Sequence, residues 1–221
     1  MTDGPLRFKH MALCITERCT LKCKLCHAHI PYHDDPRDMT LDEVETVLHR
    51  LFSIIESVDA FDIAGGEPLL HPDLATILKI VDKYSNQINR TIDITTNGTL
   101  EMTDETVDFF RARKDRTRVI ISDYGKYSPK ARLLAEKLSS LGINVRVDRH
   151  YGDSPIYGGW IDDRDLSLKF FTQREIDEHG KNCFYREKGW PIRKGELHNC
   201  SRGYWRMLKK VIPRNPVRGV Q

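Results

Sequence analysis

The sequence has no apolar run near the length of about 18 residues that a membrane span needs, so we expect no membrane partner. It also has no concentrated basic stripe: the net charge is only +3, and the basic residues near the C-terminus fit a solvated tail better than a nucleic-acid site. Residues 1–9 lack an apolar core followed by a small-residue cleavage site. We therefore expect no secretory signal and a cytoplasmic location.

Cysteine is scarce, but three of the 6 cysteines lie close together, as Cys19, Cys23 and Cys26 in the spacing Cys-x3-Cys-x2-Cys. A reducing cytoplasm disfavours disulfides and favours metal or redox roles for such thiols. Three soft thiolates on one loop can hold three irons of an iron–sulfur cube and leave the fourth iron open to another ligand. Zinc is the alternative, with His27 or His29 as its fourth ligand.

Strand-like and helix-like segments alternate along the 221 residues. The predicted strands are 8–15, 60–64, 91–95, 118–122 and 143–147. Helices are predicted from a Thr40 and Glu43 capping box onward, over 73–84, after Thr103, over 128–141, and from Thr172 to Gly180. Such repeats imply a parallel sheet with helices packed outside it.

Five or six units are too few for a closed barrel of eight strands. The predicted fold class is therefore α/β, as an incomplete (partial) TIM-type barrel of five to six parallel βα units with a small C-terminal extension. We assign residues 1–180 to the barrel and 181–221 to the extension.

Unusual residues follow the predicted carboxyl ends of successive strands. The cysteine loop follows the first strand, Gly65-Gly66-Glu67-Pro68 the second, Thr96-Asn97-Gly98 the third, and Ser122-Asp123 the fourth. Ligands gather at this edge in parallel α/β folds. The sequence therefore predicts one binding site built from these four loops.

In these motifs the chain resembles the radical S-adenosylmethionine (radical SAM) superfamily. The resemblance rests on Cys19-Thr-Leu-Lys-Cys23-Lys-Leu-Cys26, Gly65-Gly66-Glu67-Pro68 and Thr96-Asn97-Gly98, in that order. It implies a [4Fe–4S] cluster on the three thiolates, with S-adenosylmethionine chelating the open iron. It further implies that an electron from a low-potential donor, such as flavodoxin or ferredoxin, splits S-adenosylmethionine, and that the 5′-deoxyadenosyl radical takes a hydrogen atom from the substrate.

The resemblance also implies roles for the residues at the strand ends. The segment from Gly65 to Pro68 would bind the methionine amino group, with Glu67 supporting it. A second set of polar residues suits the ribose hydroxyls and the methionine carboxylate, namely Thr96, Asn97, Ser122 and Asp123. Leu25 stands where the family commonly has an aromatic residue. Its backbone could still reach the adenine, but ring stacking is lost.

The C-terminal part contains Cys183, Gly195 and Cys200 in the pattern Cys-x11-Gly-x4-Cys. This pattern resembles the opening of the SPASM or twitch extension, which carries an auxiliary iron–sulfur cluster in many superfamily members. Two thiolates cannot hold a four-iron cluster conventionally, so three interpretations stay open: an auxiliary metal with a further ligand such as His198, a thiol that donates hydrogen to the product radical, or packed thiols. The Gly-rich, aromatic segment 150–160 is interpreted either as a substrate lid or as an ordinary surface loop.

The favoured hypothesis is a radical SAM enzyme that abstracts hydrogen from a peptide, a sugar-linked substrate or another small biosynthetic metabolite. The alternative is a non-catalytic iron–sulfur or zinc protein that binds a partner or senses redox state. The Gly-Gly-Glu-Pro segment favours the enzyme, because a bare metal module does not need a binding segment for S-adenosylmethionine.

Overall fold

In a computed structural model, the chain is described over residues 4–153, 170–183 and 189–213. The strands are β1 (Arg7–Thr16), β2 (Ser57–Gly65), β3 (Ile88–Thr96), β4 (Thr117–Asp123), β5 (Val145–Arg149), β6 (Trp190–Arg193) and β7 (Glu196–Leu197). The helices are α1 (Leu41–Ile54), α2 (Leu74–Asp82), α3 (Asp104–Ala112), α4 (Ala131–Ser140), α5 (Gln173–Lys181) and α6 (Ser201–Leu208). Among the described residues, none of the helices combines the length and the apolar composition that a membrane span requires.

Within the described residues, the strands form one sheet in the order β5-β4-β3-β2-β1-β6-β7. All neighbours from β5 to β6 pair in parallel, and only β6 and β7 are antiparallel. A helix connects each strand from β1 to β4 to the next, so the carboxyl ends of these strands lie at one edge. This confirms the predicted α/β class with an open sheet of the partial TIM-barrel type.

Alternation along the strands decides which side chains meet the helices. In β1, Met11, Leu13 and Ile15 are fully buried and join one apolar cluster with residues of α1 and α2. The intervening side chains, including Cys14, turn to the opposite, inner face of the sheet. The helix layer therefore covers one face, and the inner face is left for polar and charged groups.

The predicted capping box at the start of α1 is confirmed. The Thr40 hydroxyl accepts a hydrogen bond from the Glu43 backbone N–H at 3.2 Å, and the Thr40 N–H donates to the Glu43 carboxylate at 2.8 Å. The helix predicted from Ser128 begins three residues later, at Ala131. The Ser128 hydroxyl instead donates to the Asn97 carbonyl oxygen at 2.6 Å, which connects the start of α4 to the loop after β3.

The C-terminal region adds structure that the sequence patterns did not predict. Strand β6 extends the sheet beside β1, with Ile192 opposite Leu13, and the short β7 follows it. Strand β6 has four residues and β7 has two, which is too few for an alternating pattern to be recognised in the sequence. The division of the chain at residue 180 stays a prediction.

A buried carboxyl group lies on the inner face of the sheet. Asp62 in β2 accepts a hydrogen bond from the Thr95 hydroxyl at 2.9 Å and lies opposite Asp93 of β3. Burial, and then the negative charge of Asp93, raise the pKa of Asp62 to about 7. Ionising this group therefore opposes folding.

We expect Asp62→Asn to gain stability relative to the wild type as the pH rises from about 4 to about 7. A carboxyl whose pKa is higher in the folded state resists ionisation there, so the wild type loses stability as the pH rises from the unfolded value of 3.8 toward about 7. Each unit of pKa shift corresponds to about 1.4 kcal/mol. Urea unfolding at both pH values measures the gain, and the exposed Asp115→Asn serves as control. Equal pH dependence in Asp62→Asn and wild type contradicts the prediction.

Candidate functional site

The cysteine loop begins directly after β1, at the carboxyl edge of the sheet. Its three thiols are half-buried, and a turn closes between the Cys26 N–H and the Cys23 carbonyl at 3.3 Å. Burial, followed by the charges of Cys26 and Cys19, raises the pKa of Cys23 to about 11, and burial likewise raises the pKa of Cys19. The charges of Cys26 and Cys19 thus disfavour ionisation of Cys23, and a cationic centre beside these sulfur atoms would remove that penalty.

The described residues contain no group of three His, Cys, Asp or Glu side chains gathered around a single ion. A cube binds each thiolate through a different iron, so its three sulfur ligands lie further apart than ligands that share one ion. The three half-buried thiols of this one loop fit such a cluster. Of the two histidines predicted as zinc ligands, His29 stacks on Trp205 of α6 with ring centres 4.4 Å apart.

The Gly-Gly segment lies in backbone contact with the cysteine loop. The Gly66 N–H donates to the Thr16 carbonyl at 2.9 Å, and the Glu67 N–H donates to the Arg18 carbonyl at 2.8 Å. A Cβ on Gly66 would lie 2.1 Å from the Arg18 carbonyl oxygen and 3.0 Å from the Cys19 Cβ. Gly65 has a φ of 154°, and a Cβ there would lie 2.4 Å from the Thr16 carbonyl oxygen. The close approach that requires glycine is therefore to the loop that carries the cysteines.

Glu67 connects the loops that follow β2 and β3. Its side chain is fully buried and accepts hydrogen bonds from the Leu69 N–H at 3.1 Å, the Thr96 hydroxyl at 2.8 Å and the Asn97 N–H at 2.7 Å. Burial raises the pKa of Glu67 although these three donors oppose the shift. Pro68 then begins a short 3-10 turn that ends at Leu70. Glu67 thus joins the two loops by bonds within the protein, and its predicted role in binding S-adenosylmethionine stays a prediction.

Asn97 links the loop after β3 to the cysteine loop. Its side-chain amide donates to the Thr20 hydroxyl at 3.0 Å and to the Cys19 sulfur at 3.5 Å. Its side-chain oxygen accepts from the Thr99 N–H at 3.0 Å. The predicted contacts of Thr96 and Asn97 with S-adenosylmethionine stay predictions, and the structure gives both side chains a second role in holding the cysteine loop.

The fourth predicted loop brings an aromatic pair that sequence reasoning missed. Asp123 accepts from the Gly125 N–H at 2.8 Å and from the Tyr151 hydroxyl at 3.2 Å. Tyr124 stacks on His150 with ring centres 4.8 Å apart. Burial, and then the charge of Cys23, raise the pKa of Tyr124. The only sequence signal for Tyr124 is its place after Ser122 and Asp123 at a strand end.

The remaining predicted positions are partly described. Leu25 is half-buried on the cysteine loop, and Cys183 is exposed after α5. Cys200 is the N-cap of α6, where its sulfur accepts a hydrogen bond from the Gly203 N–H at 3.3 Å. An auxiliary cluster and a hydrogen-donating thiol stay predictions. Of the predicted lid, residues 154–160 lie outside the described residues.

Comparison with curated proteins identifies relatives that match a part of the chain. GTP 3′,8-cyclase of Campylobacter jejuni subsp. doylei is 30% identical over 131 residues, which is 59% of this chain and 39% of the relative. An S-adenosylmethionine-dependent nucleotide dehydratase of Selenomonas ruminantium is 38% identical over 86 residues, which is 39% of this chain and 28% of that protein. The chain therefore spans well under two thirds of the length of these relatives.

Solved structures show the same fold at low sequence identity. BtrN in complex with AdoMet and 2-DOIA has a TM-score of 0.62 at 15% identity, over 92% of this chain and 77% of BtrN. Streptococcus suis SuiB bound to the precursor peptide SuiA has a TM-score of 0.64 at 16% identity, over 96% of this chain and 62% of SuiB. Below 25% identity these likenesses concern the fold alone.

The cysteine motif and the strand-end motifs meet at one edge of the sheet, and a family model adds an independent match. The model described as Radical SAM superfamily matches residues 13–122, which include the cysteine loop, the Gly-Gly-Glu-Pro segment and Ser122. The open parallel sheet agrees with the solved structures. The chain belongs to the radical SAM superfamily, whose cofactors are a [4Fe–4S] cluster and S-adenosylmethionine.

Proposed function

We propose that this chain is a radical SAM enzyme that abstracts hydrogen from an organic substrate. The observation that carries the proposal is the backbone contact between the cysteine loop and the Gly-Gly-Glu-Pro segment, at the carboxyl ends of β1 and β2. A protein that only stores a metal, or senses redox state, needs the cysteine loop but not the second segment held against it. The contact supports a joint site for cluster and S-adenosylmethionine.

In this proposal Cys19, Cys23 and Cys26 hold the cluster, and the backbone around Gly66 lies where a ligand of the open iron would bind. When bound, the cluster supplies one electron that cleaves S-adenosylmethionine to methionine and a 5′-deoxyadenosyl radical. Glu67 and Asn97 hold the two loops at a fixed separation. The proposal also includes a low-potential electron donor, such as flavodoxin or ferredoxin, and a location in the reducing cytoplasm.

The names of the two curated relatives bear on the substrate. One acts on GTP and the other on a nucleotide, which adds a nucleotide to the peptide and sugar-linked candidates from the sequence. The chain covers less than half of either relative, so the substrate is a separate proposal from the radical chemistry. A nucleotide is the candidate that the relatives favour.

We expect anaerobically reconstituted protein to bind about four irons per chain and to form 5′-deoxyadenosine from S-adenosylmethionine when dithionite is added. Cys23→Ala should lower the bound iron to below about one per chain and abolish this product, because two thiolates cannot anchor the cube. Cys14→Ala removes a buried cysteine outside the loop and should keep both the iron and the product. Iron and sulfide assays with chromatography of the products measure the outcome.

A colourless protein that retains zinc and never cleaves S-adenosylmethionine would contradict the proposal and support the metal-binding alternative. Equal iron in wild type and Cys23→Ala would contradict the assigned ligands.

A further inference from the structure

Two exposed lysines flank the middle cysteine of the cysteine loop. Lys22 and Lys24 are the neighbours of Cys23 in the chain, and both are exposed while Cys23 is half-buried. Within the described part of the chain, no carboxylate pairs with either lysine. The Lys24 carbonyl oxygen accepts a hydrogen bond from the Tyr32 hydroxyl at 3.0 Å, which fixes the backbone at this position. Two positive charges therefore lie at the surface beside a proposed cluster ligand.

The end of helix α6 lies against the same part of the chain. Trp205 stacks on His29 with ring centres 4.4 Å apart, and the Tyr32 ring meets it edge-on at 6.4 Å. Four residues after Trp205, Lys209 Nζ lies 3.1 Å from the Asp34 carboxylate. An aromatic contact and an ion pair thus hold the end of α6 beside the cysteine loop.

The surface formed in this way combines basic and apolar side chains. What we call the basic patch consists of Lys22, Lys24, Tyr32, Leu208, Lys209 and Lys210. Tyr32 is 39% exposed and Leu208 is 47% exposed, and Leu208 and Lys209 share a helix face with Trp205. The nearby carboxylates are those of Asp34, which pairs with Lys209, and of the exposed Asp35. Positive charge therefore exceeds negative charge on this surface.

This composition fits a protein partner better than a nucleic acid. Exposed aromatic and apolar side chains surrounded by charged groups are typical of protein interfaces. A nucleic acid is bound by a longer basic stripe, which the sequence lacks. Positive charges around such an interface speed the association with an acidic partner and help to orient it.

We propose that the basic patch is the docking site of an acidic electron-transfer protein that reduces the cluster. The electron has to enter close to the cysteines, and the patch is the surface at which the cysteine loop itself is exposed. A small patch suits a donor that dissociates after each electron, because transient redox complexes bury less than about 1,200 Å². This inference rests on the proposed function and names the surface that its low-potential donor uses.

The test compares two reductants of opposite charge on the reconstituted protein. One is reduced flavodoxin of net negative charge, at a concentration below saturation, and the other is reduced methyl viologen, a small cation. The double variant Lys22→Glu, Lys24→Glu should form 5′-deoxyadenosine at least about tenfold more slowly with flavodoxin at low salt, because electrostatic steering changes association rates by about 10–1,000-fold. Its rate with methyl viologen should not fall, since the new carboxylates do not repel a cation.

Two further variants separate docking from other effects. Lys210→Glu changes the patch without altering the cysteine loop, and should slow the flavodoxin reaction about threefold even if the double variant binds less iron. Lys114→Glu makes the same charge change at an exposed residue between α3 and β4, at the opposite edge of the sheet, and should leave both rates unchanged. Raising the salt from about 20 mM to about 200 mM should slow the wild-type reaction with flavodoxin, because screening removes the steering.

Iron content is measured on every variant, and rates are expressed per bound cluster. If the wild type cleaves S-adenosylmethionine with neither reductant, the proposed function itself fails. Cleavage with methyl viologen, together with equal flavodoxin rates in wild type, the double variant and Lys210→Glu, overturns the docking site and leaves the proposed function standing. An equal fall with both reductants also overturns it, because the lysines then act on the cluster and not on the donor.

Discussion

Gly66→Ala is expected to reduce the bound iron after reconstitution from about four to below about one per chain. The added Cβ would lie 2.1 Å from the carbonyl oxygen and 2.6 Å from the carbonyl carbon of Arg18, which immediately precedes Cys19. Both contacts are with backbone, so no side-chain rotation relieves them, and the cysteine loop must move. Overpacking of this kind costs about 1–3 kcal/mol or more.

Iron and sulfide content, 5′-deoxyadenosine formation and thermal unfolding are the measurements for Gly66→Ala. Gly180→Ala in α5 is the matched control, because within the described part of the chain the added Cβ meets nothing within 4 Å beyond its own helix backbone. In a helix this control should leave stability unchanged or raise it by up to about 1 kcal/mol. Gly66→Ala with full iron and normal cleavage of S-adenosylmethionine would show that the contact with the cysteine loop is dispensable.

The second large effect is expected at Glu67. Glu67→Gln keeps the size of the side chain but replaces one acceptor oxygen with an amide donor. Three donors point at this carboxylate, from Leu69, Thr96 and Asn97, so at least one of them loses its acceptor. A buried donor left without a partner costs about 1–3 kcal/mol, and Glu67→Ala should cost more because all three lose theirs.

Urea unfolding measures the loss of stability in both Glu67 variants. Because Asn97 contacts the Cys19 sulfur and Thr20, we also expect a raised KM for S-adenosylmethionine in Glu67→Gln protein that still assembles the cluster. Glu101→Gln makes the same change at an exposed ion pair with Lys130 and should alter stability by less than about 0.5 kcal/mol. A Glu67→Gln protein as stable as Glu101→Gln, with an unchanged KM, would contradict the role of the carboxylate.

The local patterns of the sequence were sufficient for the parallel part of the fold. Repeated strands and helices predicted the open α/β sheet, and the Thr40 and Glu43 capping box predicted where α1 begins. The strand-end motifs were predicted to share one site, and the contacts among the Gly65–Glu67 segment, Asn97 and the cysteine loop agree with this. These features follow from periodicity and topology, which are local in sequence or fixed by the direction of the strands.

Other features depend on pairing between distant segments. The sequence pattern around β6 was too short to predict that this strand pairs with β1. Nothing in the sequence indicated that the Ser128 hydroxyl donates to the Asn97 carbonyl oxygen, or that α4 begins three residues later than predicted. Sequence reasoning linked Gly66 to a ligand, which stays a prediction, and gave no sign that a Cβ at Gly66 would also meet the Arg18 carbonyl.

The sequence by itself determined the family, the cluster-type cysteine spacing and which motifs follow the carboxyl ends of the strands. Only the tertiary structure decided what surrounds each polar group. The Glu67 carboxylate accepts hydrogen bonds from three donors of the protein. Within the described residues, the buried guanidinium of Arg193 has no hydrogen-bond acceptor. The physical reason is that burial and hydrogen-bond satisfaction depend on segments far apart in the chain, here β1, β6 and α6, which no local pattern specifies.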